Sequence, residues 1–176
     1  MFVASLPLSG LKVVEPRIFR DGRGCFWESY HQSIYTESGI AVQFVQDNCS
    51  FSKRDTIRGL HYQRKQAKLI SVIHGVIWDV AVDIRPGSPT FGQYAAIELD
   101  DQIRRQLFIP DGFAHGFCVL SETAVVQYKV SEVYSPSQER SIRWNDPTIA
   151  IAWPCSEPIL SERDRTSPFL DSAGCL

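Results

Sequence analysis

Along Arg58-Gly59-Leu60-His61-Tyr62-Gln63, then at Lys68, and later in Pro110-Asp111-Gly112-Phe113-Ala114-His115, the chain sets two histidines, an arginine and a lysine on strand-like sequence. Taken singly, each reads as a surface or capped side chain; together they favour a site for an anionic substrate. A cavity holding histidine, lysine and tyrosine suits proton transfer at a carbon next to a carbonyl, because the base needs a pKa near neutrality and the enolate oxygen needs a cation. His61 and Lys68 can fill those two roles. Inverting the carbon also requires a proton returned to its opposite face, so a second group must face the base across the substrate, and Tyr128 is the candidate. Tyr128 and Tyr134 share parity on one expected strand and would enter one cavity, although two core tyrosines would show the same spacing. Arg58 and His61 have opposite parity. Their joint use requires an irregular strand, which Gly59 between them permits as a bulge.

The elements that must position these groups are short strands. β-branched and aromatic runs alternate with Gly, Pro, Asp and Ser clusters at close spacing, the pattern of a sandwich or barrel, and that many short strands suggests a jelly roll. Leu69 to Arg85 reads as two strands broken at Gly75. In the second, Val76, Trp78, Val80, Val82 and Ile84 share one parity and Asp79, Asp83 and Arg85 the other, giving an apolar face and a partly charged one. Further strands are expected at Tyr94 to Leu99, Gln106 to Ile109, Gly116 to Leu120 and Ala124 to Tyr134, with turns at Asp100-Asp101 and Ser121-Glu122. Helices are scarce; the best candidate is Gln32 to Ser38, closed by Gly39. From Ser135 the chain turns polar and Pro-rich, yet Trp144 and Trp153 punctuate it, which predicts an ordered tail wrapping the barrel.

All 176 residues fit one folded domain, long enough to bury a sizeable core. With 18 Lys and Arg against 20 Asp and Glu, a net charge of -2 and a pI near 6.1, broad binding to nucleic acid or an anionic membrane is not expected, since both need excess clustered cations. Any anion binding must be local. Met1 to Leu11 lacks a basic segment and carries too short an apolar run for a signal peptide, and no stretch approaches the ~20 apolar residues of a membrane helix, so a soluble cytoplasmic protein is expected. Five cysteines (Cys25, Cys49, Cys118, Cys155, Cys175) are an odd number without C-x-x-C spacing, and read as core or surface thiols. A metal in a double-stranded barrel of the cupin type usually needs an H-x-H pair, a nearby carboxylate and a later P-x-G-x-x-H. Here His115 closes the last motif, but the first reads His61-Tyr62-Gln63, so a bound metal is not expected. His31 and His74 read as structural or exposed.

Phe19 to Glu28, Phe44 to Ser50, R-G-L-H-Y-Q, Asp79 to Arg85, P-D-G-F-A-H-G-F, Trp144 to Pro147 and Ser161 to Asp164 together resemble the dTDP-4-dehydrorhamnose 3,5-epimerase family over nearly the whole length. The resemblance implies an all-β, cupin-type jelly-roll barrel with a few short helices. It implies an isomerase acting on dTDP-4-dehydro-6-deoxy-D-glucose without a cofactor, the substrate's C4 ketone serving as electron sink for epimerisation at C3 and C5. His61 would be the proton acceptor with Asp164 as its partner, Tyr128 the acid and Lys68 the stabiliser of the enolate. Arg23, Arg58, Gln46 and Asn48 would hold diphosphate and ribose, Glu28 the thymine edge, and Tyr134 would stack on the base. Asp47, His115, Glu139 and Arg163 fall at positions that resemble further substrate contacts. The family is dimeric with amino-terminal strands crossing between subunits, so Arg23 and Glu28 would act in the partner's site. Two departures bear on the mouth of the site: the Gln63 to Lys68 connection is shorter than in many relatives, and Arg163 stands where lysine is common. Relatives with nearly the same motifs epimerise only C3 or only C5, and a non-catalytic nucleotide-sugar-binding barrel is the remaining alternative.

Overall fold

The computed structural model describes residues 1–170. The chain opens with β1 (Phe2–Ser5) and β2 (Lys12–Glu15), then forms a separate hairpin of β3 (Ile18–Asp21) and β4 (Gly24–Trp27) before the short helix α1 (Gln32–Glu37). Next come β5 (Gln46–Lys53), β6 (Ile57–Tyr62), β7 (Lys68–His74), β8 (Val76–Asp83), β9 (Tyr94–Asp100), β10 (Gln106–Ile109), β11 (Phe113–Val119) and β12 (Thr123–Val130). A two-residue β13 (Arg140–Ser141) and a short helix α2 (Glu162–Thr166) complete the described elements.

Two sheets face each other, one ordered β1-β2-β10-β7-β12-β5 and the other β13-β6-β11-β8-β9, every pairing within them antiparallel. Side chains alternate across each strand, so Ile70, Val72, Val126, Ile77, Ala81 and Phe117 meet between the sheets in the main core. Outside the first sheet, Tyr35 and Ile40 pack with Leu69 and Phe108. Outside the second, the tail covers Leu60, Val80, Val82, Ile84 and Ala114 with Ile142, Ile149 and Trp153. As far as residue 170 the tail is ordered as expected: Trp153 Nε1 donates to the Trp144 carbonyl at 2.7 Å, and Asp146 accepts the backbone N–H groups of Thr148 and Ile149.

Both faces of β8 are therefore buried. The charged parity is the one that points between the sheets, where Asp79 and Asp83 are wholly inaccessible, while the uniformly apolar parity lies beneath the tail. Strand ends also shift from expectation. β11 starts at Phe113 and so includes His115; β12 stops at Val130, because Ser131 turns back to bond Ala67 through both its backbone N–H and its hydroxyl, leaving Tyr134 in the next loop. The expected helix at Gln32 to Ser38 forms over Gln32–Glu37, with Ser38 as its C-cap.

Candidate active site

Polar residues replace apolar ones at one end of the space between the sheets, leaving a cavity of about 410 Å³. Gln46, Asn48 and Ser50 reach it from β5, Lys68 from the start of β7, Tyr128 from β12, and His115 and Phe117 from β11. β6 supplies both Arg58 and His61, which a regular strand would point to opposite faces. The pairing to β11 slips between His115↔His61 and Phe117↔Arg58, so one strand carries an extra residue there. Gly59 makes the slip possible: its φ is +136°, and a Cβ at that position would lie 2.5 Å from the Gly116 Cα. The bulge re-aims both side chains into one cavity.

The tail supplies the carboxylate. Ser161 caps α2, accepting from the Asp164 backbone N–H at 3.1 Å, and the buried Asp164 side chain meets His61, Oδ1 to Nε2, at 2.6 Å. Burial pushes the Asp164 carboxyl up, but the hydrogen bond and charge of His61, with help from Ser161 and the Gly59 backbone, outweigh it and hold the group below its ordinary value. An ionised Asp164 must receive a proton from Nε2, which fixes the neutral tautomer and leaves Nδ1 of His61 as the basic nitrogen.

Lys68 is 7% exposed and its Nζ donates to the His61 carbonyl at 3.1 Å. Burial lowers its pKa to about 8, opposed by the negative charges of Glu139 and Asp79. Asp79, wholly buried, sets both carboxyl oxygens 3.0 Å from His115 Nε2. Burial pushes Asp79 up while His115 and Lys68 pull against it. Burial, followed by the charge of Glu139, also raises the Tyr128 phenol, which keeps its proton at neutral pH. Glu139 and Arg163 form an ion pair at the rim, and Arg58 is braced by Ser52 Oγ at 2.9 Å and the Phe51 carbonyl. Gln46 ties the mouth together, donating to Asn48 Oδ1 at 2.8 Å and accepting from the Tyr134 N–H at 2.9 Å.

Eleven of the fourteen expected site residues thus sit at this cavity or directly support it. Three do not in a single chain. Arg23 lies on the β3–β4 turn bonded to Asp21, its side chain 91% exposed; Glu28 lines a surface hollow with Arg17 and His31; and Asp47 points away on the outer face of β5, paired with Lys129. Two supports escaped sequence reasoning. Asp79 lies in the Asp79 to Arg85 motif, but an aspartate alternating with hydrophobics also suits a solvent-facing strand. Gln63, where a metal-binding barrel would carry histidine, is buried and pins the Tyr134 loop, donating to the Val133 carbonyl and accepting from the Ser135 N–H. Among the described residues no group of three His, Cys, Asp or Glu side chains forms a metal site. His31 and His74 are exposed.

Residues 5–172 match the model of the family described as dTDP-4-dehydrorhamnose 3,5-epimerase. The chain belongs to that family. A dTDP-4-dehydrorhamnose 3,5-epimerase of Salmonella typhimurium is 49% identical, with 98% of this chain and 97% of the relative aligned. Among solved structures, the epimerase of Legionella pneumophila in complex with dTDP-4-keto-L-rhamnose superposes with a TM-score of 0.92 at 46% identity, covering 96% of this chain and 92% of the other. That of Bacillus anthracis, with TDP and pyrophosphate bound, gives 0.93 at 46% identity, covering 96% and 99%. The epimerase fold is the jelly roll expected from the strand pattern, and of the cupin type that the resemblance implied. No helix among the described residues is long and apolar enough to cross a membrane.

Proposed function

We propose that this chain epimerises dTDP-4-dehydro-6-deoxy-D-glucose at C3 and C5, giving dTDP-4-dehydro-L-rhamnose. The observation that carries the proposal is the convergence of the His61–Asp164 pair, the Lys68 ammonium and the Tyr128 phenol on one cavity. Nδ1 of His61 removes the proton from the carbon beside the C4 ketone, and the electron pair moves onto the C4 oxygen. Lys68 stabilises the resulting enolate, Asp164 stabilises the imidazolium, and Tyr128 delivers a proton to the opposite face. His61 then gives up its proton to solvent while the phenolate takes one up, and with both groups restored the second carbon reacts in the same manner. The substrate's ketone holds the electron pair throughout, so the scheme calls for no cofactor.

Arg58, Gln46 and Asn48 suit the diphosphate and ribose, arginine through its bidentate fork, and Tyr134 at the mouth suits stacking on thymine. His115, Glu139 and Arg163 complete the sugar side. Residues 1–176 act in this reading as one epimerase domain, supported by a family match that spans 5–172. Arg23, Glu28 and Asp47 have no access to the cavity of their own chain, which supports a homodimer whose amino-terminal strands bring Arg23 and Glu28 to the partner's site. A cytoplasmic place of work belongs to the same reading, supported by four free cysteines among the described residues.

Incubation of the 4-keto sugar nucleotide with enzyme in D2O, read by NMR, tests the proposal. Deuterium should enter at both C3 and C5, and His61→Asn should abolish it. Label at one carbon only would make the protein a mono-epimerase, and label at neither, in protein that binds dTDP, would make it a binding barrel.

A further inference from the structure

Two thiols meet on the face of β11 that points away from the cavity. Cys118 is wholly buried against the tail, and its Sγ lies 3.4 Å from the Sγ of half-buried Cys155, 37 residues along the chain. The proposed chemistry uses neither. We infer that Cys118 and Cys155 form an oxidative modification site, a dithiol that a small-molecule disulfide of the glutathione class converts into an intramolecular disulfide stapling the tail to β11.

Exposure assigns the roles of the two sulfurs. Cys155 meets solvent and attacks the reagent disulfide, releasing one thiolate and leaving a mixed disulfide on its Sγ. Cys118 then gives up its proton and attacks the Cys155 Sγ, expelling the second thiolate. Two protein thiols and one reagent disulfide become one protein disulfide and two reagent thiols, so atoms and electrons balance. Burial, then the neighbouring Cys155 sulfur, pushes the Cys118 thiol up, which makes it a poor first nucleophile but leaves it well placed for the second step. Bonding requires the sulfurs to close from 3.4 Å to about 2.05 Å. The tail is anchored on either side of Cys155, at Trp153 by its bond to Trp144 and at Ile159 by its bond to Asp55, so the closing movement falls on the short stretch between them.

The staple bears on the active site through the tail's later residues. Beyond Ile159 the same segment reaches Ser161 and Asp164, the residues that cap α2 and hold His61. Crosslinking therefore fixes the strap that carries the carboxylate, without touching the cavity. Treatment of the full chain with oxidised glutathione, then alkylation and non-reducing peptide mapping, should join the peptides holding Cys118 and Cys155. Thermal unfolding of the crosslinked protein should shift upward by on the order of 5–10 °C, as expected for a loop of this length, and dithiothreitol should reverse it. Cys155→Ser should show neither link nor shift. Finding both residues still alkylatable, or Cys155 halted at the glutathione adduct, in protein oxidised under native conditions would overturn the inference, as would a link without a thermal shift.

Discussion

Burial of Lys68 costs the folded state a solvated ammonium and gives the cavity a charge in a place with little competing water. With its pKa lowered to about 8 from 10.5, the cation is present at neutral pH and disappears as the pH climbs. Only the protonated form stabilises an enolate oxygen, so kcat should fall as pH rises through about 8. The stability linkage has the opposite sign: between about 8 and 10.5 the folded state binds fewer protons at this site than the unfolded chain, so its contribution to stability grows with pH across that window. A pH–rate profile measured beside thermal unfolding should therefore show activity declining without a matching loss of stability assignable to this group. Lys68→Met should remove the alkaline limb and lower kcat by about 10²- to 10³-fold, with KM changed far less. Asp79 acts through its neighbours. Its negative charge supports the Lys68 ammonium and its two oxygens orient His115, so Asp79→Asn should move the alkaline limb to lower pH while the chain still folds. An unmoved limb would reduce Asp79 to a buried hydrogen-bond acceptor. That His61, Lys68 and Tyr128 line one cavity was legible from residue type and motif; the burial of Asp79 was not, since burial of a carboxylate depends on partners from other strands.

Among the elements, β6 decides whether the site exists. Its bulge rests on the close approach of Gly59 and Gly116, where a Cβ on Gly59 would come within 2.9 Å of the His115 carbonyl oxygen as well as 2.5 Å of Gly116 Cα. Neither is a flexible side-chain tip, and alanine rarely adopts φ of +136°. Gly59→Ala should therefore destabilise by roughly 3 kcal/mol or more, visible as a fall in Tm on the order of 10 °C, and activity should drop further than the folded fraction does. Intact activity in a stable Gly59→Ala protein would mean that Arg58 and His61 converge without the bulge. The need for such an irregularity was legible from parity alone. β7, β9 and β10 were also readable, from short β-branched and aromatic runs bounded by turns at Gly75 and Asp100-Asp101. β11 was not readable at its start because all seven of its residues are buried, leaving no period to detect. The overlong β12 has a related cause: Val133 and Tyr134 continue a strand-like composition, and only the bonds from Ser131 to Ala67 and from Gln63 to the 133–135 loop stop it.

At the scale of the whole molecule the jelly roll holds the proposed reacting groups at one end, and the β3–β4 hairpin is a sheet separate from the other two, with Phe19 and Phe26 exposed. Two exposed aromatic rings on a separate hairpin that also carries Arg23 support the proposed homodimer, in which a second copy would cover them. Sequence types could nominate Arg23 and Glu28 by resemblance, but which chain's cavity they serve is a property of assembly that no strand pattern encodes. The assignment makes a quantitative demand. Arg23→Ala and His61→Asn should each be nearly inactive alone. When the two are unfolded together in equal amounts and refolded, half of the dimers should be mixed, and each mixed dimer should hold one site with both side chains intact and one with neither, restoring about one quarter of wild-type activity. If Arg23 instead served its own chain, every site in a mixed dimer would lack one group and mixing would restore nothing. Activity near one quarter, measured at a protein concentration where sedimentation shows dimer, would place the hairpin in the partner's site; activity no greater than the sum of the separate variants would return it to the surface of its own subunit.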